Sequence, residues 1–364
     1  MTISPLRGEH LALLGVLWPG PRSQLSPLLP PGDQEEQERV RAMLGRANLI
    51  DSQGFVIPAM HAAMEILQTA SRAVMAEFMR PDQVSMVSHF FSQDAARSFT
   101  LVLDAENNGK GFCGISLPDL LAFCDARDLA SNHAAAPFDL MLDRAEARVL
   151  AAMLDAERAS ARHAIMDTAD PAGLSFIPSV LTRPALVERL AADAEQPGDG
   201  IFLGLLNRCF EDVQPDPGVS VDAELADLLN RTLIRGSGSG FGLSEPLLPV
   251  ARRAVFSDMA VTFSIRGSAD SGPAHAESGY CIRADGMLFW CISRSDTPDR
   301  VYLKYQPSDH LAPVLQCLFF DPSCSLSRKA TPEIQQPEQR LCPQCGGRLT
   351  QGKQFCGTCG ARIG

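Results

Sequence analysis

The order of helix-like and strand-like segments repeats once along residues 1–320, and this repeat constrains the fold more than any other feature. In the first copy, Asn48-Leu49-Ile50 precedes a polar turn and then Gly54-Phe55-Val56-Ile57. In the second copy, Thr232-Leu233-Ile234 precedes a glycine-rich turn and then Gly240-Phe241-Gly242-Leu243. The segment before each turn has apolar residues at i, i+3 and i+4, the spacing of an amphipathic helix. A duplicated unit is therefore predicted, with chance similarity between two such units as the alternative.

Downstream of these turns, both copies continue with strand-like runs and a closing helix. The matching segments are 98–103, 111–117 and 118–122 in the first copy, and 287–292, 301–305 and 308–312 in the second. Each copy thus predicts a helix, a turn, a helix, three or four antiparallel strands and a closing helix. The predicted fold class is α+β, with pseudo-symmetric halves at residues 1–125 and 223–320.

Residues 126–222 are predicted to be a helical connector between the halves. Within them, residues 139–166 are rich in alanine and carry an apolar stripe, which is typical of a long amphipathic helix. The stripe consists of Leu140, Val149, Leu150, Met153 and Leu154. We expect it to pack against the sheet, although a partner-binding stripe is the alternative.

The last residues, 341–364, carry two Cys-x-x-Cys pairs, formed by Cys342, Cys345, Cys356 and Cys359. Four thiolates are the tetrahedral set that a structural zinc ion prefers, and they leave no open position for catalysis. A redox dithiol is the competing interpretation, but that chemistry uses a single pair. The segment resembles the short zinc-ribbon family, and the proline-rich residues 321–340 before it are predicted to be a flexible linker.

Charge and hydropathy restrict the partners of the main body. The chain has a net charge of −11. Arg348, Lys353 and Arg362 give residues 341–364 a local charge of +3, which leaves −14 on residues 1–340. This acidic surface disfavours nucleic-acid binding by the body. No apolar run is long enough for a membrane span or a signal peptide, so we expect a cytoplasmic protein.

The remaining cysteines are scattered in apolar surroundings, and this pattern predicts reduced, buried residues in a reducing compartment. These cysteines are Cys113, Cys124, Cys209, Cys281, Cys291, Cys317 and Cys324. The glycine-rich residues 236–242 lack the ending of a phosphate-binding loop and predict a flexible hairpin turn. His89 is expected to be a half-buried strand residue. No arrangement of residues points to catalysis, so we predict that the protein is not an enzyme.

With these segments in view, the body resembles the EspG-like family of chaperones associated with type VII (ESX) secretion. The resemblance rests on residues 38–67 and 98–124 in the first half, and on residues 223–255 and 287–318 in the second. It implies two pseudo-symmetric α+β halves and an activity that keeps a hydrophobic helical client soluble before export. No motif anchors client-binding positions in this chain.

Two classes of function follow from the sequence. The first is a non-enzymatic adaptor or secretion-type chaperone that binds a protein client and carries a tethered zinc ribbon. The alternative is a nucleic-acid-binding regulator that uses the ribbon or a winged-helix-like unit at residues 38–57, which contains Arg39, Arg41 and Arg46. An active site assembled from loops without a motif is a third possibility.

Overall fold

The computed structural model describes residues 2–30, 32–123, 137–167, 176–195, 200–209, 221–267, 276–294 and 296–321. The chain divides into two compact units, Met1–Ser325 and Leu326–Gly364. All described residues belong to the first unit, and the predicted zinc ribbon lies outside them, as does nearly all of the predicted linker.

The first half of this unit begins with a strand and ends with a short helix. Its elements are β1 (Thr2–Arg7), α1 (Gly8–Leu17), α2 (Gln34–Arg46), α3 (Pro58–Gln68), β2 (Arg72–Met79), β3 (Val84–Phe91), β4 (Ser98–Asp104), β5 (Asn108–Cys113) and α4 (Leu117–Phe123).

The second half contains the same kinds of element and several additional ones. Its elements are β6 (Phe138–Asp143), α5 (Arg144–Asp167), β7 (Leu181–Thr182), α6 (Arg183–Glu195), α7 (Ile201–Cys209), α8 (Asp222–Asn230), β8 (Ile234–Ser237), β9 (Gly240–Leu243), α9 (Leu248–Arg253), β10 (Ser257–Gly267), β11 (Ala276–Ala284), β12 (Met287–Arg294), β13 (Thr297–Pro307) and α10 (Leu311–Phe320).

One ten-stranded antiparallel sheet runs through both halves. Its strand order is β1-β5-β4-β3-β2-β10-β11-β12-β13-β6. The equivalent strands β2 and β10 pair antiparallel at the centre, as a two-fold relation between the halves requires. Outward from them, the order in one half mirrors the order in the other. The predicted α+β class is confirmed.

In the structure, the second repeat begins with β6, well before residue 223, where the sequence pattern had placed its start. β6 returns to pair with β13 at one edge, just as β1 returns to pair with β5 at the other. Each returning strand leads directly into a helix, α1 or α5. Residues 138–167 therefore occupy the place of residues 2–17 within the repeat, although the sequence pattern had assigned them to a connector.

Helix α2 ends in a Schellman motif. Asn48 adopts a left-handed conformation with φ of 57°. The Leu49 N–H donates to the Leu44 carbonyl at 3.0 Å, and the Asn48 N–H donates to the Gly45 carbonyl at 3.1 Å. Leu44 and Leu49 are both buried, which adds the apolar contact typical of this cap.

Helix α8 ends in the same way. Thr232 also has φ of 57°. The Leu233 N–H donates to the Leu228 carbonyl at 3.0 Å, and the Thr232 N–H donates to the Leu229 carbonyl at 2.9 Å. Because the donors and acceptors occupy matching positions in both caps, Leu44 is structurally equivalent to Leu228. The leucine pattern noticed in the sequence therefore marks a repeated helix cap.

The segments that follow the two caps differ in length. After α2, the chain makes a tight turn closed by an isolated bridge between Ile50 and Val56, and α3 follows immediately. After α8, it forms the hairpin β8–β9, which confirms the turn predicted at residues 236–242, and β7 adds a third strand. The unit at residues 38–57 is therefore a helix and a tight turn without a two-stranded wing.

Each half has its own apolar core on the face of the sheet that carries α1 to α3 and α5, and α10 covers part of the opposite face. In the first half, α1, α2 and α3 bury side chains such as Leu14, Leu44 and Met64 against sheet residues such as Phe99 of β4. In the second half, α5 is the central helix of the core and contacts α6, α7, α8 and α9. Four residues of the predicted apolar stripe are buried there, Val149, Leu150, Met153 and Leu154, so the expectation of core packing is confirmed for them. The fifth, Leu140, lies on β6, because the helix begins at Arg144.

Candidate functional site

A cleft opens at one end of the central strands, where α7 packs against β10 and β11. Its volume is about 400 Å³, within the range of ~300–1,000 Å³ typical of ligand pockets. The cleft brings together one strand of the first half with a strand and a helix of the second. Its lining residues are Met79, Arg80, Pro81, Gly200, Ile201, Gly204, Leu205, Ser257, Asp258, Met259 and Ala260.

The walls of the cleft are mostly apolar. Leu205, Met259 and Ala260 are buried, whereas Met79 and Ile201 are only partly covered. Methionine side chains are flexible and polarisable, so two of them allow the walls to adapt to differently shaped apolar groups. The cleft thus offers partly exposed apolar surface at a position fixed by the sheet.

A buried carboxylate from α5 holds the start of α7. The Phe202 N–H donates to Asp155 Oδ1 at 3.2 Å, and the Leu203 N–H donates to Oδ2 at 2.9 Å. These bonds satisfy two backbone donors that a helix start otherwise leaves unpaired. Burial raises the pKa of Asp155, while the two backbone bonds act in the opposite direction. α7 is therefore anchored rigidly beside the cleft.

Two glycines shape the cleft wall: Gly200 directly precedes α7, and Gly204 lies on α7 about one turn later. A Cβ atom at Gly200 would lie 2.8 Å from Asp155 Oδ2, so this position must remain small for the carboxylate to reach the helix. A Cβ atom at Gly204 would meet no atom within 4 Å. The wall at Gly204 is consequently open, and a bound group can approach the helix backbone closely.

The charged groups of the cleft are not arranged for acid–base or nucleophilic chemistry. Of the eleven lining residues, only Arg80 and Asp258 are charged. Arg283 Nε donates to Asp258 Oδ1 at 2.9 Å and to Oδ2 at 3.1 Å, and Arg283 Nη2 lies 2.9 Å from Oδ2, so this guanidinium compensates the charge of Asp258. Neither histidine nor cysteine occurs among these lining residues. The arrangement can bind an apolar group but offers no nucleophile paired with a base.

His89 lies on β3 and is fully buried, deeper than the half-buried position expected from the sequence. Its Nδ1 lies 2.6 Å from Thr100 Oγ1, and its ring meets the edges of Phe91 and Phe319. Burial, and secondarily the charge of Arg72, lowers the pKa of His89 to about 3. The imidazole is therefore neutral and shielded from solvent, consistent with a structural role.

Arg72 joins the two halves on the same side of the sheet as His89. Its Nη1 donates to the Asp321 carbonyl at 2.6 Å, just beyond the end of α10. The guanidinium also lies over the Phe91 ring, 5.5 Å from the centroid. A cation at a helix C-terminus interacts favourably with the partial negative charge there. The closing helix of the second half is thus capped by a strand of the first.

The predicted zinc ligands Cys342, Cys345, Cys356 and Cys359 lie outside the described residues. Among the residues that are described, no group of three or more His, Cys, Asp or Glu side chains is arranged to hold a metal ion.

The expectation that all scattered cysteines are reduced is wrong for Cys317, which is disulfide-bonded. Cys113, Cys281 and Cys291 are free. Burial raises the pKa of Cys113 and Cys281, which keeps both thiols protonated and unreactive. The apolar surroundings of Cys317 in the sequence did not reveal its partner, because a disulfide depends on proximity in space.

Sequence reasoning did not identify the residues that line the cleft. They come from three segments that are far apart in the chain, and none of them belongs to a motif with known chemistry. The one local signal among them was Gly204 within the apolar first half of α7. Asp155 gave no signal, because it is a single acidic residue in the middle of α5 and its partners Phe202 and Leu203 lie far along the chain.

Within the part of the chain that the structure describes, no helix combines the length and apolarity needed to cross a bilayer. No protein-family model matches this chain, and no curated protein matches it either.

Proposed function

We propose that this protein is a non-enzymatic adaptor or secretion-type chaperone that holds an apolar segment of a protein client in the cleft. The observation that carries the proposal is the partly exposed apolar wall of Met79 and Ile201, backed by the buried Leu205 and opened further by Gly204. A wall of this kind is suited to apolar side chains that project from one face of a client helix.

Two further features support binding over catalysis. The cleft lacks a nucleophile paired with a base among its described lining residues. The duplicated helix–turn–helix–sheet architecture also has the element order that the resemblance to EspG-like chaperones implies. Under this proposal, the client binds where the two halves meet, and the acidic body does not bind nucleic acid or span a membrane.

The proposal includes one structural zinc ion bound by the thiolates of Cys342, Cys345, Cys356 and Cys359. Such a site closes a small ribbon and supplies the free energy for its folding. Elemental analysis of the purified full-length protein should give one zinc ion per chain. Replacing Cys342 and Cys345 with Ser should remove the zinc, and a zinc content that persists in this variant would contradict the assignment.

The proposal also retains the expected cytoplasmic location. A disulfide at Cys317 is unusual there, because cytosolic thiols are kept reduced. Rapid alkylation of cells followed by peptide mapping tests this point. A reduced Cys317 in cells supports the location, whereas a quantitative disulfide in freshly alkylated cells argues for an oxidising compartment.

The client proposal is tested by filling the cleft. Gly204→Trp places a large side chain where the structure has open space. Gly236→Trp is the matched control, because a Cβ atom at Gly236 also meets no atom within 4 Å, but on the exposed hairpin strand β8. Both variants should retain the circular dichroism spectrum and melting temperature of the wild type.

The tagged full-length proteins are purified in parallel from the native host, and co-purified proteins and nucleic acids are quantified. We expect a stoichiometric client with the wild type and Gly236→Trp, and at least about a tenfold loss with Gly204→Trp. Equal recovery with all three proteins, or no recovery with any, would overturn the cleft as the client site. Recovery of salt-released nucleic acid instead of a protein would favour the regulator.

A further inference from the structure

The exposed side of α2 carries a basic and apolar stripe, which we name the α2 stripe and define as Arg39, Met43 and Arg46. The residues follow the i, i+4, i+7 spacing, so they align along one face of the helix. Both arginines are exposed, and 40% of the Met43 surface is accessible. Within the described part of the chain, neither guanidinium has a hydrogen-bond or ion-pair partner.

The duplication shows that the fold does not require this stripe. The matching Schellman caps make Leu44 equivalent to Leu228, so the α2 stripe corresponds to Ala223, Asp227 and Asn230 on α8. These three residues are exposed as well. At these equivalent positions, α2 thus has two arginines on either side of a methionine, whereas α8 has one aspartate and no cation.

We propose that the α2 stripe binds an acidic peptide segment of a partner protein, in which carboxylates flank an apolar side chain. The arginine Cα atoms lie about 10 Å apart along the helix, at ~1.5 Å per residue. Each guanidinium can form a forked pair with a carboxylate, and the Met43 thioether can receive the apolar group between them.

An acidic peptide fits the stripe better than nucleic acid does. Nucleic acid brings a long row of phosphates towards a body with a charge of −14, whereas a short peptide places its carboxylates only at the stripe. Charges more than ~8 Å away are largely screened at physiological ionic strength, so a short ligand senses mainly the charges beside it. Because Glu35 precedes Arg39 by one turn on the same face, the ligand must lie on the side of Arg39 that carries Met43 and Arg46. Phosphates also offer no partner for Met43. This surface is separate from the cleft and does not depend on it.

The test replaces the α2 stripe with its own counterpart. The variant Arg39→Ala, Met43→Asp, Arg46→Asn copies the residues of α8, which the same helix position already tolerates. The matched control is Arg162→Ala, Met166→Asp on α5, because these residues are also exposed and four positions apart. Circular dichroism and thermal melting confirm that both variants fold.

The probe is a fluorescent synthetic peptide with Glu residues on both sides of a central Leu, and a single-stranded DNA oligonucleotide serves as competitor. We expect the wild type and the control variant to bind the peptide equally, and the stripe variant to bind it at least about tenfold more weakly. Raising the salt from about 50 to about 300 mM should weaken the wild-type complex. A second variant with Ala223→Arg, Asp227→Met, Asn230→Arg added to the stripe variant should regain affinity.

Equal affinity of the wild type and the stripe variant would overturn the proposal, as would the absence of peptide binding by the wild type at millimolar concentration. DNA that displaces the peptide and binds more tightly would instead assign the stripe to nucleic acid.

Discussion

The two halves of the body share a skeleton but differ in what is attached to it. Both halves keep the returning edge strand, the capped helix before the turn, and the four-stranded meander. The second half adds α6, α7 and a three-stranded sheet, and α7 forms one wall of the cleft. The first half instead presents the α2 stripe. Hydrogen-bonded caps and strand order thus define the shared architecture, whereas the proposed binding surfaces occur where the copies have diverged.

The halves also bury different polar groups. In the first half, a neutral imidazole, His89, lies under α10. In the second, carboxylates of α5 are buried and bonded, including Glu157, which accepts from Arg252 Nε and from the Ser179 N–H, both at 2.7 Å. A lowered pKa, as at His89, makes stability fall on acidification, whereas a raised pKa, as at the buried Asp155 of α5, makes it rise, so the two halves should respond differently to acid.

The largest effect is expected from protonation of His89. Its pKa is lowered from 6.5 to about 3, so the folded state favours the neutral ring. The folded state keeps its full stability with respect to His89 above pH 6.5, where the imidazole is neutral in both the folded and the unfolded state. As the pH falls from 6.5 towards 3, protonation of His89 in the unfolded state lowers the free energy of unfolding by about 1.4 kcal/mol per pH unit. The variant His89→Gln should lose less stability than the wild type between pH 7 and pH 4, as measured by urea unfolding.

Hydrogen exchange locates this effect. At pH 4, β3 and α10 of the wild type should open before α5 and α8. A gap in stability between wild type and His89→Gln that stays constant with pH would contradict the prediction.

The next largest loss of stability is expected when the buried leucine of either cap is shortened, and this pair of variants tests whether the two caps are energetically equivalent. Leu44→Ala and Leu228→Ala each remove a fully buried side chain from the same position of the repeat. Each should cost about 2–5 kcal/mol, depending on how far the cavity collapses. Because β2 and β10 join the halves, chemical denaturation should show one transition in both variants. Leu29→Ala, at a 41% exposed site, is the control and should change stability little.

A difference of more than a few kcal/mol between the two variants, or two separate unfolding transitions, would show that the halves fold as independent units.

The smallest effect concerns the left-handed residue of each cap. Thr232 and Asn48 share φ of 57°, but this conformation is strained for a β-branched residue and tolerated by asparagine. Thr232→Gly should therefore stabilise the protein by about 1 kcal/mol, while Asn48→Gly should change stability by only a few tenths. Thermal melting measures both. A Thr232→Gly variant less stable than the wild type would mean that the Thr232 hydroxyl, which donates to the Arg231 carbonyl at 2.7 Å, outweighs the strain.

Much of the skeleton could be predicted because its signals are local. The leucines of the helix caps and the polar turns between strands lie within a few residues of each other, so the repeat was visible as a pattern. β6 escaped notice because its alternating apolar residues are few and directly precede an alanine-rich helix, so that Leu140 was assigned to the apolar stripe of that helix. Its role depends on pairing with β13, which is formed by residues far along the chain.

The cleft could not be predicted for a related reason. Met79, Gly204 and Met259 become neighbours only after β2 has paired with β10 and α7 has packed over them. The α2 stripe was visible in the sequence only as a few arginines. Its contrast with α8 emerged when the shared caps aligned the two helices residue by residue.

The returning edge strands have a consequence for the order in which the body forms during synthesis. β1 can pair with β5 once residues up to 113 are available, so the sheet of the first half can close early. β6 must wait for β13, which includes residues up to 307. Contacts between such distant segments are slow to form. We therefore expect the nascent chain to hold a paired first-half sheet, with β2 and His89 still waiting for β10 and α10, while the second half exposes apolar strands. This interval is when the chain most needs protection from aggregation.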